Sequence, residues 1–310
     1  MTALQRPLTR RQLRGFSIVP MLTPFTAGGA VDEPAARRLI EHIIGGGCQG
    51  ILAAGTTGEA ASMPLAERIR LVQITVGQVG GRGVVFGGIG DNSLSHSVEL
   101  AREYFGAGAD AVVAHLPSYY PIEGAGMEYH FLSLADRVEG PLYLYNIPQT
   151  TRHSLPLEVI ERLSRHARIA GIKDSEADGV RQERLARRFA GRTDFAVFCG
   201  SIPYTAQAMR AGADGFVPSA GNVAPGVARE LMDRWVAGDE VDAARLQERI
   251  GAISAIYQRG RNVPQSLCAM KGILEIMGLG ARHMLPPLQA CTDTEVAELR
   301  RQLQAEQLVA

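Results

Sequence analysis

One amine, a run of hydroxyls and a few phenols are the residues of this chain best suited to covalent chemistry. The sequence carries 32 basic residues, and only Lys173 and Lys271 are lysine; the rest are arginine. Lys173 ends an apolar run, Ile169-Ala170-Gly171-Ile172, that reads as a short buried strand. Burial disfavours the charged form of an amine, and a free amine attacks a carbonyl carbon to give a Schiff base. The competing reading is a lysine that snorkels from a strand end to water. Three other stretches offer matching groups. Gly55-Thr56-Thr57-Gly58-Glu59 presents two hydroxyls and successive backbone N–H groups that can hold a carboxylate, or simply cap a turn. Ser118-Tyr119-Tyr120-Pro121 presents adjacent phenols, one to pack and one to expose. Tyr145-Asn146-Ile147-Pro148 places a tyrosine where it can move the protons that imine chemistry requires, or where it fills a core with its hydroxyl satisfied.

The elements that must position these groups alternate regularly. Apolar strand-like runs fall at 16–19, 50–54, 84–88, 111–114, 142–145, 169–173, 195–198 and 215–217. Helix-length segments separate them, among them 32–44, 93–105 and 127–138, with others opened by Pro64 and Pro156. Eight strand–helix units predict a (β/α)8 TIM barrel, in which working residues sit at the C-terminal strand ends and in the loops beyond. The doubly wound alternative needs a Gly-x-Gly-x-x-Gly turn after the first strand, and Pro20-Met21-Leu22-Thr23-Pro24 stands there instead. Gly87-Gly88-Ile89-Gly90 reads as a tight strand-to-loop turn. Beyond Val223 only helical periodicity remains, at 224–237, 240–257, 264–277 and 293–306. The expected organisation is an N-terminal arm (1–14), a barrel (15–223) and a C-terminal helical extension (224–310). The methionines of 270–284 read as core.

Bulk properties narrow the function classes. The formal net charge is zero, with 21% charged and 46% hydrophobic residues. Such a balance argues against nucleic acid or an acidic membrane as partner. No stretch approaches the roughly 20 apolar residues of a membrane span, and Arg10-Arg11 lacks the apolar segment of an export signal. Cys48, Cys199, Cys268 and Cys291 are widely spaced, form no CxxC motif or disulfide framework, and suit a reducing, cytoplasmic setting. The arm, with Arg6, Arg10, Arg11 and Arg14, is expected to be mobile or to pack on a neighbouring subunit. The histidines, His96, His115, His153 and His283 among them, suggest no metal site.

Taken jointly and in order, Gly55 to Glu59, Tyr119-Tyr120, Tyr145-Asn146-Ile147-Pro148 and Gly171-Ile172-Lys173-Asp174 resemble the signature of the dihydrodipicolinate synthase / N-acetylneuraminate lyase family over residues 15–300. The resemblance implies a class I aldolase-type barrel, commonly a homotetramer, that binds a small 2-oxo acid such as pyruvate together with an aldehyde. Lys173 would form the imine, Tyr145 would transfer protons and Thr56 would relay them. Gly55, Thr57 and its backbone would hold the 2-oxo acid carboxylate, with Gly200 and Val217 lining the pocket. Tyr120 would enter the active site of a neighbouring subunit. Neither metal nor other cofactor is implied, because the protonated imine is itself the electron sink.

The chain also departs from that pattern. Dihydrodipicolinate synthases usually continue the Tyr-Asn-x-Pro segment with x-Arg-Thr, and here Thr150 takes the place of the arginine that binds the second carboxylate. Loss of a bidentate guanidinium is not conservative, and Arg152 stands two residues further on. Gly-Ile-Lys-Asp-Ser looks more like 2-keto-3-deoxy sugar acid and 4-hydroxy-2-oxoglutarate aldolases. Ala60-Ala61-Ser62-Met63-Pro64-Leu65 lacks the histidines of some lysine-regulated synthases. The expectation is therefore a Schiff-base aldolase or dehydratase acting on a hydroxylated 2-oxo acid. The alternatives are dihydrodipicolinate synthase itself and a catalytically silent barrel that binds a 2-oxo acid.

Overall fold

Short runs rich in Val, Ile and Leu that are apolar on both sides favour strands of a parallel sheet covered on each face. A computed structural model, which describes residues 10–309, places eight such runs side by side. They are β1 (Phe16–Pro20), β2 (Gly50–Ala53), β3 (Val84–Gly88), β4 (Ala111–His115), β5 (Leu142–Asn146), β6 (Ile169–Asp174), β7 (Ala196–Cys199) and β8 (Gly215–Phe216). Every neighbouring pair is parallel, and β8 returns to β1 to close the barrel. Alternation along the strands divides the core in two. Ile18, Leu52, Phe86, Tyr143 and Phe198 fill the barrel interior, where the Phe86 and Tyr143 rings meet edge to face at 5.2 Å. Val19, Ile51, Val85, Val112, Leu144, Ile172 and Val197 face the surrounding helices.

Local chemistry sets the helix ends. Glu33–Gly45 starts where the Asp32 carboxylate accepts from the Ala35 N–H at 3.0 Å, and the chain turns out of it through Gly47 at a φ of +86°. Val263–Ile276 opens on a capping box between Asn262 and Gln265, and Asp293–Ala305 on one between Thr292 and Glu295. Among the described residues no helix is long and apolar enough to cross a membrane.

Three details differ from the sequence reading. Pro225–Ala237 packs on β1 and on Glu33–Gly45, so it is the eighth helix of the barrel ring, and the added region begins at Glu240. Periodicity finds such a helix but not the surface it covers. A short helix, Pro148–Thr151, follows β5 directly, too brief for periodicity to reveal. Residues 1–9 of the arm lie outside the described residues, but Arg10–Leu13 is a helical turn on the chain's own barrel. Leu13 joins the interior cluster, and Arg10 is buried with its Nε 2.6 Å from the Asp214 carboxylate. The Arg10 guanidinium also donates to the carbonyls of Phe189, Arg192 and Gly212. Residues 10–13 thus seal the N-terminal end of the barrel, next to the start of β8.

Candidate active site

Strand register brings the candidate groups together at the opposite end. Tyr145 on β5 pairs with Lys173 on β6, and Lys173 with Phe198 on β7. Lys173 is 7% exposed and Tyr145 6%, and the lysine Nζ lies 4.1 Å from the centre of the Tyr145 ring. An amine buried at the barrel mouth against an aromatic face is not a snorkelling lysine. Lys173, Tyr145, Thr56, Thr57, Gly200 and Val217 line one cavity of 360 Å³. Gly200 leaves room for the Ser175 hydroxyl, which a Cβ there would meet at 2.1 Å, and a Cβ would also stand 3.0 Å from the Asp174 carbonyl.

The Thr56-Thr57 turn is held from several directions. Internal bonds use the amides of Gly58, Glu59 and Ala60, and the Thr23 hydroxyl donates to the Gly58 carbonyl at 2.7 Å. Ala54 and Glu59 flank the turn at φ of 52° and 60°. Non-glycine residues in this region carry strain that the surrounding structure must hold, a feature common at functional sites. Here the second lysine finds its place. Lys271, from Val263–Ile276, is fully buried with its Nζ 2.9 Å from the Glu59 carboxylate, and it also donates to the His283 carbonyl. Burial pushes the Lys271 amine down, and the Glu59 carboxylate pushes it back up. Glu59 in turn accepts from the Leu285 N–H at 3.0 Å. One carboxylate therefore ties the β2 turn to the C-terminal helical region.

Behind Lys173, Asp174 is fully buried in a polar network. Its carboxylate meets the Arg181 guanidinium at 2.8 Å and accepts from Asn146, Gln182 and the Glu176 N–H. Burial pushes the Asp174 carboxyl up, while Arg181 and these donors draw it down. The network clamps the end of β6 to β5 and so fixes the direction in which Lys173 projects.

Not every candidate reaches the cavity of Lys173. Gly55 and Thr150 line an adjoining cavity of 330 Å³ that shares Thr56 and Tyr145 and includes His115 and Ser118. The His115 ring packs edge-on to Tyr145 with centres 6.4 Å apart, and it occupies the site where a Gly90 Cβ would be, just beyond β3. Gly87 and Gly88 at the strand end are confined by the Tyr104 ring and the Ala54 carbonyl. Burial pushes the His115 imidazole down, toward its neutral form. Arg152 is exposed and lines neither cavity. Neither phenol of the pair packs inward as the sequence suggests: Tyr119 is 76% and Tyr120 71% exposed on the surface of this chain, their rings edge-on to each other, with the Tyr120 carbonyl 3.1 Å from the His153 Nε2.

Sequence reasoning missed the roof. Tyr257, Gln258, Arg261, Ser266, Leu267 and Met270 line the Lys173 cavity from the C-terminal helical region. The available signal was the helical periodicity at 240–257 and 264–277, with the methionines of 270–284 read as core, because periodicity marks a buried face without saying what that face covers.

The chain matches the Dihydrodipicolinate synthetase family over residues 13–306. It is 33% identical over 291 residues to 4-hydroxy-tetrahydrodipicolinate synthase 2 of Streptomyces coelicolor, covering 94% of this chain and 95% of that one. The chloride-inhibited dihydrodipicolinate synthase of Acinetobacter baumannii, complexed with pyruvate, matches with a TM-score of 0.88 at 30% identity, over 96% of this chain and 100% of the other. A monomeric dihydrodipicolinate synthase variant matches with a TM-score of 0.89 at 25% identity, over 98% and 100% respectively. The chain belongs to the dihydrodipicolinate synthetase family, whose members are class I Schiff-base lyases.

Proposed function

We propose that this enzyme is an aldolase or dehydratase that forms an imine between Lys173 and the keto carbon of pyruvate or a hydroxylated 2-oxo acid. The single observation that carries the reading is the buried Lys173 amine against the Tyr145 ring, in one cavity with Thr56 and Thr57. The amine adds to the ketone and water leaves. The resulting iminium draws electrons from the adjacent carbon, so that either a proton is lost to give an enamine or a C–C bond breaks. Tyr145 carries protons to and from the carbinolamine and the substrate hydroxyl, with Thr56 as relay. Thr57 and the adjoining Thr56 backbone hold the 2-oxo acid carboxylate, while Gly200 and Val217 shape the wall. Because the iminium is the electron sink, the chemistry asks for no metal or other cofactor.

Thr150 favours a hydroxylated partner over a second carboxylate, since a threonine supplies one hydroxyl where a guanidinium would supply a charged fork. The synthase reading, pyruvate with aspartate semialdehyde, stands second and is supported by the name of the Streptomyces coelicolor relative. We place the enzyme in the cytoplasm as a homotetramer, in which the exposed Tyr120 reaches a neighbouring active site. Pyruvate release from 2-keto-3-deoxy acids, sialic acid and 4-hydroxy-2-oxoglutarate, measured beside condensation with aspartate semialdehyde, tests the reading. Turnover of a hydroxylated 2-oxo acid is expected. Condensation of aspartate semialdehyde as the sole efficient reaction would overturn that preference in favour of the synthase.

A further inference from the structure

Two of the four cysteines, 23 positions apart in sequence, meet in space. The Cys268 Sγ, on Val263–Ile276, lies 2.9 Å from the Cys291 Sγ, just ahead of Asp293–Ala305. That separation is shorter than the roughly 3.5–4.0 Å of non-bonded carbon contacts, and sulfur is the larger atom. It exceeds the roughly 2.05 Å of a disulfide, so the pair stands as two thiols in close contact. The other cysteines are differently housed. Cys48 and Cys199 are buried apart, one near the Ser17 hydroxyl and the Pro225 carbonyl, the other at the Ser201 carbonyl. Burial pushes their thiols up to about 11 and about 12, and burial together with the Cys268 contact pushes the Cys291 thiol up as well. Cys268, by contrast, is only half-buried. Together with Cys291 it borders a separate cavity of 490 Å³, whose lining includes Arg261, Gln265, Thr292 and Glu295. That space is open to solvent, so a small disulfide can approach the Cys268 sulfur from it.

We propose that Cys268 and Cys291 form a disulfide-forming modification site, oxidised by a low-molecular-weight disulfide that enters this cavity. The Cys268 thiolate attacks one sulfur of the oxidant, which expels the first small thiolate and leaves a mixed disulfide. Cys291, losing its proton, then attacks the Cys268 sulfur and expels the second. Two protein thiols and one small disulfide become one intramolecular disulfide and two small thiols, with two electrons passed to the oxidant. The new bond pins the segment ahead of the last helix to Val263–Ile276, whose Leu267 and Met270 line the catalytic cavity. The backbone needs little rearrangement because the sulfurs already touch.

The test incubates the reduced, full-length protein with glutathione disulfide in native buffer, caps remaining thiols with N-ethylmaleimide, and reads intact mass and non-reduced peptide maps. Circular dichroism verifies that the fold persists. The expected product lacks two hydrogens, retains no glutathione, and yields a Cys268–Cys291 linked peptide with Cys48 and Cys199 still reduced. Cys291→Ser is expected to stop at glutathione retained on Cys268, because the resolving thiol is gone. Glutathione retained on Cys268 of the unsubstituted protein, an unchanged mass, or a linkage that forms only in denaturant would each overturn the proposal.

Discussion

Lys173 and Lys271 are both buried, and their surroundings separate their roles. Lys271 has a carboxylate 2.9 Å away and donates a hydrogen bond to the His283 carbonyl, so its charge is matched within the core. Both amines lie over a ring, Lys173 over Tyr145 and Lys271 over Phe25 at 4.3 Å, but Lys173 alone of the two lines a cavity, the setting of an amine that waits for a carbonyl. Rarity of lysine made Lys173 legible in the sequence, and the strand-end position of Tyr145 made the pairing legible. Rarity did not distinguish the two lysines by itself, because the partner of Lys271 is 212 positions earlier in the chain and no local pattern links them (Glu59 and Lys271). With Tyr145 as the proton carrier, Tyr145→Phe keeps pyruvate binding but slows imine formation and lowers kcat by about 10²-fold or more. Steady-state kinetics beside an equilibrium pyruvate titration checks this, and a kcat within a few-fold of the unsubstituted enzyme would remove the phenol from the proton path. Thr150→Arg restores a charged fork at the edge of the adjoining cavity and is expected to raise condensation with aspartate semialdehyde relative to pyruvate release. An unchanged ratio would show that residue 150 does not select the partner.

At the scale of elements, the site depends on a turn and a helix that come from opposite ends of the chain. The β2 turn carries Thr56 and Thr57, and the Glu59–Lys271 pair fastens it to Val263–Ile276. Removing one partner leaves the other charge buried and alone. Lys271→Met is therefore expected to cost about 3–5 kcal/mol of stability and to lower kcat as the threonines lose their register. Glu59→Gln combined with Lys271→Met leaves no charge stranded and should cost less than the two single changes summed. Urea unfolding of the three variants decides the matter; strict additivity would mean that the pair does not act as a unit. The strands and long helices of this framework were readable because each repeats its apolar pattern over a full element. The short Pro148–Thr151 helix and the roof over the cavity were not, since a four-residue helix has no period and a buried face does not name what it covers.

Across the whole molecule, stability and chemistry are placed at opposite ends of the barrel, as parallel barrels of this kind permit. The N-terminal end is closed by Arg10, which holds Asp214 and the carbonyls around β7 and β8. Burial pushes the Asp214 carboxyl up while Arg10 draws it down, so the carboxylate form depends on its partner. Arg10→Ala is expected to destabilise the fold by about 3 kcal/mol and to leave kcat nearly unchanged at temperatures where the protein remains folded. A large loss of kcat at full folding would show that this end of the barrel communicates with the other. The eight-unit repeat made the barrel legible from sequence, whereas the arm's seat did not emerge, because the contacts of Arg10 span about two thirds of the chain. The central claim is that Lys173 forms the imine, and trapping with borohydride tests it most directly. Incubation with pyruvate and borohydride, read by intact mass, should add one reduced pyruvate to the unsubstituted protein at Lys173 and none to Lys173→Ala. An adduct of equal yield on Lys173→Ala, or none from pyruvate or any other 2-oxo acid, would contradict the account.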